Sequence, residues 1–253
     1  MLHEKSFIGK YYLFFIYLLL LLVDCWYLYT GKYSYRIYSK TILMPFLVLF
    51  FINNSSFNIT STPATLTGRI LLYIAFVLAW ASDICGTIQS TLLYKIALLL
   101  YPLVYLLYAI ILLQVQRASS REKKIFIYVK KALPTFLILL LIAMVYLNKI
   151  VGFGTEFYQL CIYANTIILL LAGAFTANLW GEVALEKLRL IFGIGVFLLI
   201  ASNMIYGIDE LRYHRTLSIL DVLVALSNGF SQFFIVLGMI KWLNPKKKKS
   251  IAE

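Results

Sequence analysis

Eight apolar runs dominate this chain, near residues 11–29, 37–53, 70–88, 92–115, 132–147, 158–180, 188–208 and 220–243. A helix needs roughly 17–25 apolar residues to cross a hydrocarbon core. The runs are unbroken and rich in Leu, Ile and Phe, whereas a membrane β-barrel would show short segments of alternating polarity. In lipid a helix satisfies its own backbone polar groups. The expected fold is therefore all-α: a polytopic membrane protein built as an eight-transmembrane-helix bundle. The runs at 37–53 and 132–147 are short, so six or seven helices with one or two re-entrant segments is the alternative. Composition agrees, with 62% of residues hydrophobic and 13% charged, outside the range of soluble domains.

Lys and Arg in the short loops set orientation. One side would carry Lys5, Lys10, Arg69, Arg117, Arg121, Lys123, Lys124, Lys130, Lys131, Lys187, Arg189, Lys241 and Lys246 to Lys249. The other would carry Lys32, Arg36, Lys40, Lys95, Lys149, Arg212 and Arg215. Both termini are then cytoplasmic: residues 1–10 form an N-terminal segment, 11–243 a single membrane domain and 244–253 a basic tail. The first run has basic residues before it, but "DCWYLYTG" offers no small-residue cleavage pattern, so it stays as helix 1. The net charge of +12 reads as topology plus attraction to anionic membrane lipids, not as a nucleic-acid site. The expected location is a bacterial cytoplasmic (inner) membrane.

Cys25, Cys85 and Cys161 lie in or beside apolar runs without metal-ligand spacing, so no metal and no cofactor is expected. Phosphate-loop, dinucleotide and Ser-His-Asp signatures are absent. The sequons in "NNSSFNITSTP" fall in a loop, 54–69, on the cytoplasmic side and read as chance. "QRASSREKK" is the other polar hinge.

Two pairs of local echoes suggest an internal repeat of four plus four helices: "IYSKTIL" (37–43) beside "IYANTII" (162–168), and "WASDICG" (80–86) beside "IASNMIYG" (200–207). They set Lys40 against Asn165 and Asp83 against Asn203. A lone carboxylate inside a spanning helix costs about 2.5–3.5 kcal/mol on insertion scales and needs a partner. Lys40 and Asp83 fall at similar depth in the outer half, so an ion pair between them is expected. Tyr101, Tyr105 and Tyr108 share one face of helix 4, and Asp221, Asn228 and Gln232 one face of helix 8. If those faces turn inward, they enclose a polar pocket; single amides could equally serve as interhelical hydrogen-bond glue. Asp24, Asp209 and Glu210, at helix ends, are expected to reach the headgroups. Glu182 and Glu186 are expected at the cytoplasmic end of helix 6.

"YSYRIYSKTILMPFLVLFF", "FVLAWASDI", "LLYPLVYLLYAI", "GVFLLIASNMIYG" and "SQFFIVLGM" resemble, in order and spacing over about 35–240, the YhhN family of eight-helix membrane proteins that includes the lysoplasmalogenases. The resemblance implies hydrolysis of the vinyl ether bond of a lysoplasmalogen, releasing a fatty aldehyde and a glycerophospho-headgroup. It implies Asp83 as the catalytic acid, with Lys40, Tyr105, Tyr108, Asn203 and Gln232, beside Asn165 and Asn228, around a lysophospholipid. The chain departs from the family pattern at four places. The Pro after Lys40 is displaced to Pro45, Ser82 replaces a Gly, Tyr105 stands where a His is usual, and Asn203 where a second Asp is usual. Asn cannot exchange a proton at neutral pH, so a two-carboxylate mechanism is not available here. Two alternatives follow: a non-catalytic lysolipid-binding or lysolipid-sensing protein, and a small transporter whose half-repeats rock around the polar centre.

Overall fold

A computed structural model of the chain describes residues 7–55, 63–88, 90–118, 125–150, 157–178, 183–212 and 218–244. His3, His214, Glu182, Arg215, Lys246 to Lys249 and the sequon at Asn58 lie outside them. Among the described residues there are eight α-helices and no strands: α1 (Phe7–Tyr29), α2 (Arg36–Asn54), α3 (Pro63–Thr87), α4 (Thr91–Ala118), α5 (Ile125–Ile150), α6 (Phe157–Ala177), α7 (Val183–Arg212) and α8 (Ser218–Leu243). All eight are long and apolar enough to cross a membrane, which makes the chain an integral, multi-pass membrane protein. The second and fifth runs are full helices of 19 and 26 residues, so the re-entrant alternative falls. Their polar ends had masked their length: "KKALP" carries charge yet lies inside α5.

Other boundaries also move outward. α3 begins at Pro63, inside the expected 54–69 loop, and Gln116 to Ala118 of the expected hinge belong to α4. Glu186 lies in the first turn of α7 rather than at the end of α6, where an acid meets the positive end of the helix dipole.

Seven helices close into a ring in the order α1, α2, α3, α4, α6, α7, α8 and back to α1, with α5 outside it, packed chiefly on α6. Only 17% of the apolar span of α5 is buried, against 56% for α6 and α8. Exposed side chains such as Leu137, Ile138 and Leu141 on α5 suit a lipid-facing helix. The ring interior holds Leu21, Leu47, Phe51, Leu72, Val104 and Leu199, all essentially inaccessible.

Helix α8 packs tightly on both sides because it carries glycines where its neighbours press in. A Cβ on Gly229 would come within 2.6 Å of Leu21 on α1, and one on Gly238 within 2.7 Å of the Phe192 ring on α7. Small residues at such crossings let backbones approach, the main source of helix association in lipid. The Tyr17 hydroxyl then donates to the Gly229 carbonyl at 2.7 Å.

Proline leaves a local signature in α2. Pro45 has no N–H for the Thr41 carbonyl one turn earlier, and the Trp80 indole N–H of α3 donates to that oxygen at 2.9 Å. A neighbouring helix thus satisfies the freed backbone group, as the bilayer interior requires.

Candidate functional site

The end of α1 sets up the site. Gly31 takes φ +69°, a left-handed conformation that glycine adopts without a Cβ penalty. The Gly31 N–H bonds the Leu28 carbonyl at 3.1 Å and the Lys32 N–H the Tyr27 carbonyl at 2.8 Å, the paired bonds of a Schellman stop. The chain reverses through a short turn, Tyr33–Tyr35, straight into α2. The first turns of α2 therefore run beside the last turns of α1.

That reversal sets Asp24 against three α2 residues. Its carboxylate accepts from Arg36 Nε and Nη2, each at 3.2 Å, and from Ser39 Oγ at 2.9 Å. Lys40 Nζ lies 3.9 Å from Asp24 and 3.4 Å from Asp83 on α3, so the expected Lys40–Asp83 pair forms, within a larger network. Asp24 is fully buried, which corrects its expected place among the headgroups. A carboxylate one and a half turns inside the helix end would be costly alone; three partners across a tight turn remove the need to reach water. Asp209 is likewise buried against its neighbours, at 1% exposure. Glu210 accepts from the Tyr94 hydroxyl at 3.1 Å.

Asp83 forms one wall of a cavity of about 120 Å³. Lys40, Asp83 and Tyr105 line it from α2, α3 and α4, and Asn165, Asn203 and Asn228 from α6, α7 and α8. The Tyr101 hydroxyl donates to Asp83 Oδ1 at 3.0 Å, and the Tyr101 and Tyr105 rings stack with centroids 6.1 Å apart. Asn203 Nδ2 donates to Thr166 Oγ1 at 2.9 Å. The side-chain oxygens of Asn165 and Asn228 are buried without a hydrogen-bond donor. Buried polar atoms are satisfied as a rule, so two open acceptors on one cavity mark a place for donors.

Tyr108 and Gln232, expected at the same site, instead hydrogen-bond each other, buried at 1% and 4% exposure. They sit one turn deeper than Tyr105 and Asn228 and are not part of the cavity lining. The tyrosine face of α4 and the polar face of α8 do turn toward each other, and their deeper members close on themselves. Asp221, the outermost of the α8 set, lines the cavity mouth with Arg36.

The lining comes from the early turns of α2, α4, α6 and α8 and the late turns of α3 and α7. The site thus occupies the end of the bundle opposite the start of α1 and the end of α8. Sequence reasoning placed Asp221 on the pocket face of α8 but missed Asp24 and Arg36. One signal was readable for these two: "DCWYLYTGKYSYRIYSK" joins Asp24 to Arg36 and Lys40 across a glycine turn, which brings them to one depth.

The family model for the YhhN family matches residues 35–239. No curated protein and no solved structure was found to be similar to the chain. With four fifths of its length matched, the chain belongs to the YhhN family.

Proposed function

We propose that this YhhN-family chain is a lysoplasmalogenase-like membrane hydrolase, working on the vinyl ether bond of a lysoplasmalogen in the cavity beside Asp83. The observation that carries the reading is a buried carboxylate held by Lys40 and Tyr101 on a cavity faced by two amide oxygens without donors. Vinyl ether cleavage starts with a proton delivered to the carbon β to oxygen, giving an oxocarbenium ion. Water adds, and the hemiacetal collapses to a fatty aldehyde and the glycerol hydroxyl of the released headgroup. The Lys40–Asp83 pair supplies the first proton, and Asp83 takes one back from the attacking water, so the pair ends unchanged. Asn203 holds the water. A cavity of about 120 Å³ takes the reacting segment, and the hydrocarbon chain extends between helices into the bilayer.

On this reading both termini are cytoplasmic and the cavity faces the outer leaflet, in a bacterial inner membrane. Arg69, Arg117, Lys130, Lys131, Lys187, Arg189 and Lys241, all near the opposite end, support it through the positive-inside rule. The halves are taken as a four-plus-four duplication. Thr41 and Thr166 support that by bonding the carbonyls of Ile37 and Ile162 at equivalent places.

The test is aldehyde release from a lysoplasmenyl lipid by the detergent-purified chain, with Asp83→Asn and Asn203→Asp beside it. A single general acid is worth on the order of a hundredfold or more, and Asp83→Asn should lose at least that while remaining folded. Undiminished turnover in folded Asp83→Asn would sink the mechanism. A second reading rests on Asn203, an amide bonded to Thr166 where the family pattern has an acid: a lysolipid binder without catalysis. Aldehyde release appearing only with Asn203→Asp would establish it.

A further inference from the structure

A groove of about 590 Å³ runs along the outer surface of the bundle between α6 and α7, sharing no lining residue with the cavity beside Asp83. Gly173 and Thr176 border it from α6, and Arg189, Gly193, Phe197 and Ile200 from α7. Phe197 is 67% exposed, so the groove opens toward lipid. Its glycines differ from those of α8. A Cβ on Gly193 would come no nearer than 3.7 Å to Thr176, and one on Gly173 no nearer than 3.7 Å to Ile200, both ordinary contact distances. Packing does not demand glycine at either place; the effect of both is to hollow a lipid-facing surface.

The depth and charge of the groove match one leaflet of a bilayer. Helix α7 has 30 residues, about 45 Å at a rise of 1.5 Å per residue, against a hydrocarbon core of about 30 Å. About 7 Å at each end therefore stands outside the core. Arg189 lies about 9 Å along the axis from Val183, where α7 starts, and so falls at the core boundary. From Arg189 to Ile200 the groove runs about 16 Å, close to half the core. Its polar lining is Arg189 and Thr176, and the Thr176 hydroxyl already donates to the Ala172 carbonyl at 2.9 Å. Lys130 and Lys131 on α5 and Lys187 on α7 stand at the same end as Arg189, against Glu186. A basic end of this kind attracts anionic headgroups, and a guanidinium fork pairs with phosphate oxygens.

We infer that the groove binds an anionic diacyl phospholipid from the leaflet at that end, with one acyl chain along Gly193 and Gly173 and the phosphate on Arg189. The lipid braces α6 against α7 and is not consumed. The site is separate from the proposed hydrolysis and does not depend on it.

The test uses the full chain, purified in detergent and stripped of lipid. Dioleoyl phosphatidylglycerol and dioleoyl phosphatidylcholine are added in turn, and bound lipid is counted by native mass spectrometry. Phosphatidylglycerol should bind about fivefold more tightly, the worth of one basic side chain at a membrane surface. Arg189→Gln should bring the two lipids together, and Arg189→Lys should keep most of the preference. Gly193→Leu fills the groove and should weaken both lipids by about fivefold, since the chain loses its packing contacts. If Arg189→Gln does not fold, Gly193→Leu carries the test. Equal binding of the two lipids to the native chain, or a preference unchanged in folded Arg189→Gln, overturns the site. So does a Gly193→Leu chain that binds both lipids as the native chain does, or one that changes only from dimer to monomer, which would make the groove an interface between copies.

Discussion

In the first half of the chain Ser82 on α3 donates to the Ala97 carbonyl on α4 at 2.9 Å; in the second, Ser202 on α7 donates to the Val224 carbonyl on α8 at 3.1 Å. The neighbour of each serine faces the same cavity, as Asp83 in one half and Asn203 in the other. One wall therefore carries ions and the other amides on a similar framework of helix contacts. The ionic wall is closed on itself: Asp24 and Asp83 hold Arg36 and Lys40. The amide wall has open acceptors at Asn165 and Asn228. Charge in a low-dielectric interior must be matched when the chain folds, because an unpaired ion there costs several kcal/mol. A neutral amide oxygen costs less when left open and can wait for a ligand.

The comparison breaks most visibly at Asp24. Asp24→Leu removes the partner of Arg36 and weakens the hold on Lys40, and loss of one member of a buried pair costs about 3–5 kcal/mol. Unfolding in detergent should shift accordingly, and a shift below that of any amide-wall variant would show that the ionic wall is not a structural unit. Asn203→Leu removes a neutral bond to Thr166 and should cost at most about 1–2 kcal/mol in the same measurement. Trp80→Phe leaves the Thr41 carbonyl without its donor beside Pro45; about 1 kcal/mol is expected, and no loss would mean that carbonyl finds another partner. The smallest pair sharpens the likeness of the halves. Ser82→Ala and Ser202→Ala should each cost about 0.6 kcal/mol, and a severalfold difference between them would show that the two framework bonds are not equivalent.

Hydropathy made the helices legible, because the bilayer demands long apolar runs whatever their tertiary neighbours. The ends were less so: Lys130 and Lys131 lie inside α5, and Glu186 opens α7, since charge at a membrane edge looks alike in a loop and in a helical turn. The Lys40–Asp83 pair was readable from depth alone. The burial of Asp24 was not, because it depends on the reversal at Gly31 and on Arg36 and Ser39 returning to it. Tyr108 and Gln232 share the right helical faces, yet only their contact with each other separates them from the cavity lining one turn away.

The sequence by itself determined an all-α membrane bundle, its apolar runs and the polar positions along them, because each follows from a property of one segment: its length, its hydropathy, its periodicity. Tertiary structure decided that seven helices close into a ring with α5 outside, which carboxylates are paired, and which amides remain open. Those outcomes depend on distances between segments far apart in the chain, which no periodicity within a single helix encodes.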